Sequence, residues 1–286
     1  MKYKKEIEEV LCLINSAQDM LTKLLTAVDV EGEVLNLDVS DFKLAPHKNF
    51  QNFIEGYGNK IARNTGLSIV GYPGKNTTNP YFIYGPSGCG KSHLINAIGL
   101  KFQETNPSKR VYYITAQQFQ RQFTESVRQN TTNDFINYYH SFDMLIVDDI
   151  QEWLTASKTL EMFYNIFKHL LRNGKQVILA SDRPPVELQN IGKHILSRFS
   201  SGIVVEMESP DLQLCIDILN AKCKNDGLMI PINIIEYIAK TTNGNICNME
   251  GIVNSLKAYS VVNNSNIDIN VAKRIVRHSI NAPCSI

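Results

Sequence analysis

The stretch Tyr81-Phe82-Ile83-Tyr84-Gly85-Pro86-Ser87-Gly88-Cys89-Gly90-Lys91-Ser92 decides the fold. Its last eight residues match GxxxxGK[ST]. A short β-rich apolar run precedes them and a helical pattern over Lys91–Thr105 follows, the context this motif requires. The glycines let backbone N–H groups curl round phosphate oxygens, and the next helix points its positive end at them. Lys91 is placed to reach the β- and γ-phosphates of a nucleotide, and the Ser92 hydroxyl to ligand Mg2+. A chance glycine-rich turn is the bland alternative, and the flanking strand and helix argue against it.

Outward from this loop the chain alternates. Further β-rich runs occur at Val111–Thr115, Met144–Asp148, Val177–Ser181 and Ile203–Met207, with helical patterns over Gln117–Gln129 and Thr159–Arg172 between them. Strands alternating with helices predict βαβ units and a parallel sheet covered on both faces. After Pro210 the pattern turns all-helical: about Asp211–Asn225, Pro231–Thr241, Asn248–Val262 and Ile269–Ser279. That switch predicts a small helical second domain.

The partner of the phosphate loop is the run Met144-Leu145-Ile146-Val147 ending in Asp148 and Asp149. Asp148 is expected to serve Mg2+, through water or from its second shell, and Asp149 to orient and deprotonate an attacking water. An acidic pair ending a buried strand also serves as a helix cap or turn. The phosphate loop upstream favours the catalytic reading. At the end of the next strand stands Ser181-Asp182-Arg183, where Asp182 reads either as a polar sensor of the γ-phosphate or as part of a turn before Pro184 and Pro185.

Bulk properties restrict the partners. Hydrophobic residues make up 43% of the 286 and charged residues 20%, ordinary for a globular protein. The balance of 29 Lys+Arg against 28 Asp+Glu excludes nucleic-acid binding by bulk charge but leaves room for a local basic groove. The six cysteines form no CxxC pair, so neither a zinc site nor a disulfide framework is expected, and a reducing cytoplasm is. The N-terminus lacks a signal-peptide pattern, and no stretch approaches the roughly 20 apolar residues that span a membrane. A soluble cytoplasmic protein is predicted.

Near the N-terminus Ile7, Val10, Ile14, Ala17, Leu21, Leu24 and Val28 follow the a/d spacing of about three heptads. This predicts one amphipathic helix, either packed on its own ATPase domain or serving as an oligomerisation or docking helix. The expected organisation is therefore a helix over 1–30, a linker over 31–48, a nucleotide-binding domain over 49–209, a small helical domain over 210–280 and a tail over 281–286.

Longer strings resemble the central AAA+ ATPase domain of the bacterial replication initiator DnaA. Asn52-Phe53-Ile54-Glu55-Gly56-Tyr57-Gly58-Asn59-Lys60-Ile61-Ala62 is similar to the family's segment flanking the adenine, which assigns Asn52, Ile54 and Asn59 to the nucleotide. Asn79 to Gly85 leads into the phosphate loop as in that family, with His93 following Ser92. Asp134 to His140, Asp143 and Ile146 to Gln151 resemble its Walker B approach, Leu179 to Arg183 its sensor-1 strand, and Leu196-Ser197-Arg198-Phe199 its arginine-finger box. The likeness runs from about Phe50 to Ile280 without an obvious gap.

The resemblance implies an AAA+ αβα three-layer core with a helical lid, and ATP or ADP with Mg2+ bound by Gly85, Pro86, Ser87, Gly88, Cys89, Gly90, Lys91, Ser92 and His93. It implies homo-oligomers through head-to-tail contacts, with Arg198 of one subunit reaching the γ-phosphate held by its neighbour. Without the resemblance Arg198 reads as a surface salt-bridge residue. The segment around Gln117–Tyr139 resembles the initiator-specific element that lines a single-stranded DNA channel.

Departures from the family pattern set limits. Gly244 to Gly251 aligns with the sensor-2 box, but Cys247 holds its arginine position, and a thiol does not neutralise phosphate charge. Ala156 and Lys158 stand where positive charges touch DNA in the family. The sequence stops soon after the basic stretch Lys273, Arg274, Arg277 and His278, without the helix-turn-helix domain that reads origin boxes. Either a fragment or a short paralogue is implied, the initial Met favouring the paralogue. Origin recognition by this chain alone is not expected.

Two functions are weighed. One is an ATP-controlled assembly factor in replication initiation or its regulation, a slow ATPase with single-stranded DNA contact. The other is a nucleotide-binding adaptor or helicase loader whose N-terminal helix docks to a replicative helicase, a sliding clamp or the full-length initiator. A small-molecule kinase or transferase is disfavoured by the Arg198 box and the helical C-terminal region.

Overall fold

The computed structural model describes residues 44–75, 77–188, 191–263 and 267–280. The heptad helix expected over 1–30 and the tail over 281–286 lie outside the described residues.

Among the described residues, five parallel strands form one sheet: β1 (Tyr81–Tyr84), β2 (Val111–Thr115), β3 (Met144–Asp148), β4 (Gln176–Ser181) and β5 (Ile203–Glu206), in the order β2-β3-β4-β1-β5. Strands β3 and β4 are buried along their whole length, as near-continuous apolar runs covered on both faces must be. Edge strand β2 alternates between buried and half-buried positions. The register sets Thr115 beside Asp148 and Tyr84 beside Ser181, so the chemistry-bearing strand ends share one edge of the sheet.

One face of the sheet is covered by α1 (Lys60–Gly71) and α2 (Lys91–Thr105). Ile69, Leu94, Ile95, Ile98 and Phe102 from these helices pack with Tyr81, Ile83, Ile146, Ile178 and Ala180. The alternate strand residues, such as Phe82, Leu145 and Leu179, point to the opposite face. Over that face the chain supplies α3 (Ala116–Arg128), α4 (Thr132–His140) and α5 (Ser157–Arg172). Their aromatic side chains interlock: the Phe119 ring lies 5.3 Å from Phe135, 5.0 Å from Tyr139 and 5.6 Å from Phe163. Short helix α6 (Lys193–Phe199) adds Phe199, 5.2 Å from Phe167.

Helices α7 (Leu212–Asn225), α8 (Ile232–Thr241), α9 (Ile246–Asn263) and α10 (Ile269–Ile280) follow the sheet. They bury a core of their own, including Leu219, Ile235, Ile238, Met249, Ile252, Val253, Leu256 and Val276. This arrangement is the α/β core and small helical second domain that the alternation of patterns predicts, the lid that the family resemblance implies. The helix expected over Gln117–Gln129 runs over Ala116–Arg128, and a second helix follows it within the segment Gln117–Tyr139. Asn130 separates the two with φ +58°, a left-handed conformation that asparagine tolerates better than most residues. None of the described helices is long and apolar enough to cross a membrane.

At the opposite edge from the site, Asp143 staples three segments. It accepts from Lys175 Nζ at 2.6 Å, Lys109 Nζ at 3.2 Å and the Arg110 N–H at 3.0 Å. Burial pushes its carboxyl up, but the hydrogen bonds from Lys175, Arg110 and Lys109 outweigh that and hold it down at about 2, against an ordinary 3.8. A depressed folded-state value contributes stability that is complete above the unfolded value and is lost as pH falls through the folded one. The stability advantage of the wild type over Asp143→Asn is therefore expected to be full at pH 5 and to shrink between pH 4 and 2. Denaturant midpoints measured across that range check it; a constant difference would contradict it.

Candidate functional site

The turn that leaves β1 is shaped by glycines where a side chain cannot follow. Gly90 has φ +103° and caps the N-terminus of α2; Gly88 has φ +80°, and a Cβ there would stand 2.5 Å from Asn245 Oδ1. The loop is thus pressed between the sheet and the first turn of α9, whose Ile246 N–H donates to the Gly88 carbonyl at 2.9 Å. Behind the loop, α2 presents unpaired N–H groups and the positive end of its dipole.

Lys91, on the first turn of α2, is buried, and its ammonium donates to the carbonyls of Gly85 at 2.7 Å and Pro86 at 3.0 Å. Two loop carbonyls thus hold the cation inside the loop, where a phosphate chain would exchange neutral acceptors for charged ones. Cys89 turns inward to the core, and burial pushes its thiol up, so it packs as a small hydrophobe. His93 reaches the Asn49 carbonyl at 3.0 Å and stacks edge-on to Phe53 at 5.4 Å; burial pulls its imidazole down.

Strand β3 delivers Asp148 beside this loop. The carboxylate is buried, accepts from Tyr113 Oη at 2.7 Å and from the Asp149 N–H at 3.0 Å, and also meets the Ser92 hydroxyl. Burial and then the charge of Asp149 push its carboxyl up; the three donors work against that. A buried anion held between two hydroxyls is an environment that a divalent cation would relieve.

Asp149 adopts φ +56°, ψ +43° and stands at the start of a 3-10 helix over Ile150–Thr155. Gln151 in that helix donates to Asp149 Oδ1 at 2.9 Å and accepts from the Asp182 N–H at 3.2 Å. Asp182, at the end of β4, is held in a two-pronged pair by Arg183 at 2.7 and 2.8 Å. The Arg183 hydrogen bond holds the Asp182 carboxyl down, with the charges of Arg183 and Lys91 assisting. Because β4 lies between β3 and β1, Asp182 stands between the acidic strand and the phosphate loop.

The remaining expected residues divide. Asn59 is buried, but its amide closes its own loop, accepting from the Gly56 N–H at 2.9 Å and donating to the Ile54 carbonyl at 3.0 Å. Ile54 is half-buried, and Asn52 is exposed, donating to the His47 carbonyl at 2.8 Å. Arg198 is exposed in the last turn of α6, and among the described residues its guanidinium makes no ion pair. Cys247 is exposed in the first turn of α9. Sequence reasoning missed Tyr113 and Gln151. The signal for Gln151 was its position two residues beyond Asp149; nothing local marked Tyr113, which reaches Asp148 through strand pairing.

Comparison with known proteins follows the same outline. The family model of the bacterial DnaA ATPase domain matches residues 44–206. The chromosomal replication initiator protein DnaA of Bacteroides fragilis is 49% identical over 237 residues, 83% of this chain and 50% of that protein. That of Flavobacterium psychrophilum is 40% identical over 243 residues, 85% of this chain and 51% of that protein. The chain spans about half the length of the curated relatives it matches. Among solved structures, domain III of Thermotoga maritima DnaA superimposes with TM-score 0.80 at 29% identity, covering 84% of this chain and 100% of that one. AMPPCP-bound DnaA from Aquifex aeolicus gives TM-score 0.69 at 35% identity, covering 75% and 66%. A replication initiator DnaA bound to AMPPCP and single-stranded DNA gives 0.69 at 34%, with the same coverage.

Proposed function

The chain belongs to the bacterial DnaA ATPase-domain family, and from that premise we propose that it is an ATP-controlled assembly switch acting in the initiation of DNA replication or its regulation. The observation that carries the proposal is the convergence of Lys91, Ser92, Asp148, Asp149 and Asp182 at one edge of the sheet, around a loop pressed against the lid. Ligands of open parallel sheets bind outside the carboxyl ends of the strands, where these residues lie. A relative with AMPPCP and single-stranded DNA bound supports the same ligands here.

In this reading Gly85 to His93 hold the phosphates of ATP, with Lys91 giving up its two loop carbonyls for phosphate oxygens. Ser92 and Asp148 would hold a magnesium ion, which supplies charge neutralisation to the phosphate chain. Asp149 orients and deprotonates the attacking water, and Asp182 senses the γ-phosphate. Arg198 completes the site of a neighbouring subunit; its exposure suits a group that finds its partner in trans. Hydrolysis is slow, because Cys247 supplies no cation from the lid. Single-stranded DNA contact falls to the α3–α4 side. The parts divide at 49–209 and 210–280, and the lid meets the nucleotide loop through Ile246 and Gly88.

The proposal is tested by size against nucleotide state. Assembly with ATP and not with ADP supports it; tight ATP binding without any change of size contradicts it.

A further inference from the structure

Three strand ends are tied in series at the site. The Gly85 N–H donates to the Ser181 carbonyl at 3.3 Å, joining the phosphate loop to the end of β4. One residue on, the Asp182 N–H donates to Gln151 Oε1 at 3.2 Å, and Gln151 Nε2 donates to Asp149 Oδ1 at 2.9 Å. Gln151 is the link between the sensor strand and the candidate base, and it needs both halves of an amide to make the link: an acceptor for the backbone and a donor for the carboxylate. Asp149 sits in a left-handed conformation at the start of a short 3-10 helix, and the Gln151 amide holds its carboxylate from outside. The bond to Oδ1 leaves Oδ2 to accept the proton of an attacking water.

We propose that Gln151 is a positioning residue that latches Asp149 to the end of β4, so that a shift of the phosphate loop on nucleotide binding re-aims the carboxylate. The inference rests on the ATP-hydrolysing reading of the site. Gln151 does not touch the reacting atoms; it acts through Asp149. The side chain is half-buried at the site edge rather than in either core, so replacing it does not open a cavity in the sheet.

Two substitutions separate the halves of the latch. Gln151→Met keeps the length and loses both bonds, whereas Gln151→Glu keeps an acceptor for Asp182 and sets a carboxylate against Asp149. Both are expected to bind ATP within threefold of wild type and to keep its melting temperature. Single-turnover hydrolysis is expected to fall by about tenfold or more, the size of effect that a misplaced reacting group brings. Exchange of the Asp182 amide hydrogen should quicken at least about fivefold in Gln151→Met and stay near wild type in Gln151→Glu, since it reports that hydrogen bond directly.

A hydrolysis rate within twofold of wild type in both variants overturns the proposal. So does a parallel loss of affinity, melting temperature and rate, which marks a merely structural role. Asp149→Asn distinguishes the premise from the inference. If wild type hydrolyses no faster than Asp149→Asn, the hydrolytic reading fails and Gln151's part in it falls too. Asp182 exchange then still decides whether the latch exists, and an unchanged rate there removes the latch as well.

Discussion

Lys91→Ala is expected to weaken ATP binding at least about 100-fold while leaving the nucleotide-free fold intact. Lys91 is buried, and its ammonium is satisfied by the Gly85 and Pro86 carbonyls. Removing it breaks two hydrogen bonds from a charged donor, about 1.5–3 kcal/mol each, a loss offset by no longer burying the ammonium itself. Removing it from a bound phosphate leaves a desolvated anion without its partner, which costs about 2–5 kcal/mol or more. In the free protein the lost bonds and the relieved burial oppose each other, whereas in the complex nothing offsets the unpaired phosphate, so affinity falls far more than the apo melting temperature. Ligand at a hundredfold excess over Kd stabilises a protein by about 2.7 kcal/mol. ATP should therefore raise the Tm of wild type by several degrees and of Lys91→Ala hardly at all. Equal shifts would show that nucleotide binds elsewhere.

Phe119→Ala should produce the largest loss of stability. Its ring is fully buried at the centre of the aromatic cluster, 5.3 Å from both Phe135 and Trp153, 5.0 Å from Tyr139 and 5.6 Å from Phe163. Trp153 is pinned in turn by its indole N–H to the Ala116 carbonyl at 2.8 Å, so the neighbours cannot collapse to fill the space. A cavity of this kind costs about 3–5 kcal/mol. At roughly 2–4 °C per kcal/mol for a domain of this size, the melting temperature should drop by about 10 °C. Val127→Ala on the same helix is 52% exposed and should change stability by less than about 0.5 kcal/mol. Similar Tm values for the two variants would contradict the assignment of the cluster as core.

The elements most legible in the sequence were those governed by local rules. Strands Tyr81–Tyr84, Val111–Thr115 and Met144–Asp148 and helix Lys91–Thr105 begin and end where their apolar runs and glycines place them. Helix α1 was not predicted from the sequence, because Gly66, Gly71 and its β-branched residues blur the helical period. Gly66 is there for packing: a Cβ would stand 2.6 Å from Ile98 Cδ1. The Tyr113–Asp148 contact and the Gln151 latch were not legible. Both join residues far apart in sequence, and the strand pairing that brings them together is a property of the folded sheet. Asn59 shows the reverse case: a residue that family likeness assigns to the nucleotide has both polar ends of its amide engaged by its own loop.

The most direct test of the switch is light scattering of the purified chain with ATP, with ADP and without nucleotide, each with and without single-stranded DNA, repeated on Arg198→Ala. The account predicts that ATP alone raises the particle mass, that single-stranded DNA raises it further, and that Arg198→Ala keeps its ATP affinity but stays at the nucleotide-free mass. A chain that binds ATP yet shows one mass under every condition, or an Arg198→Ala variant that assembles as wild type does, would contradict it.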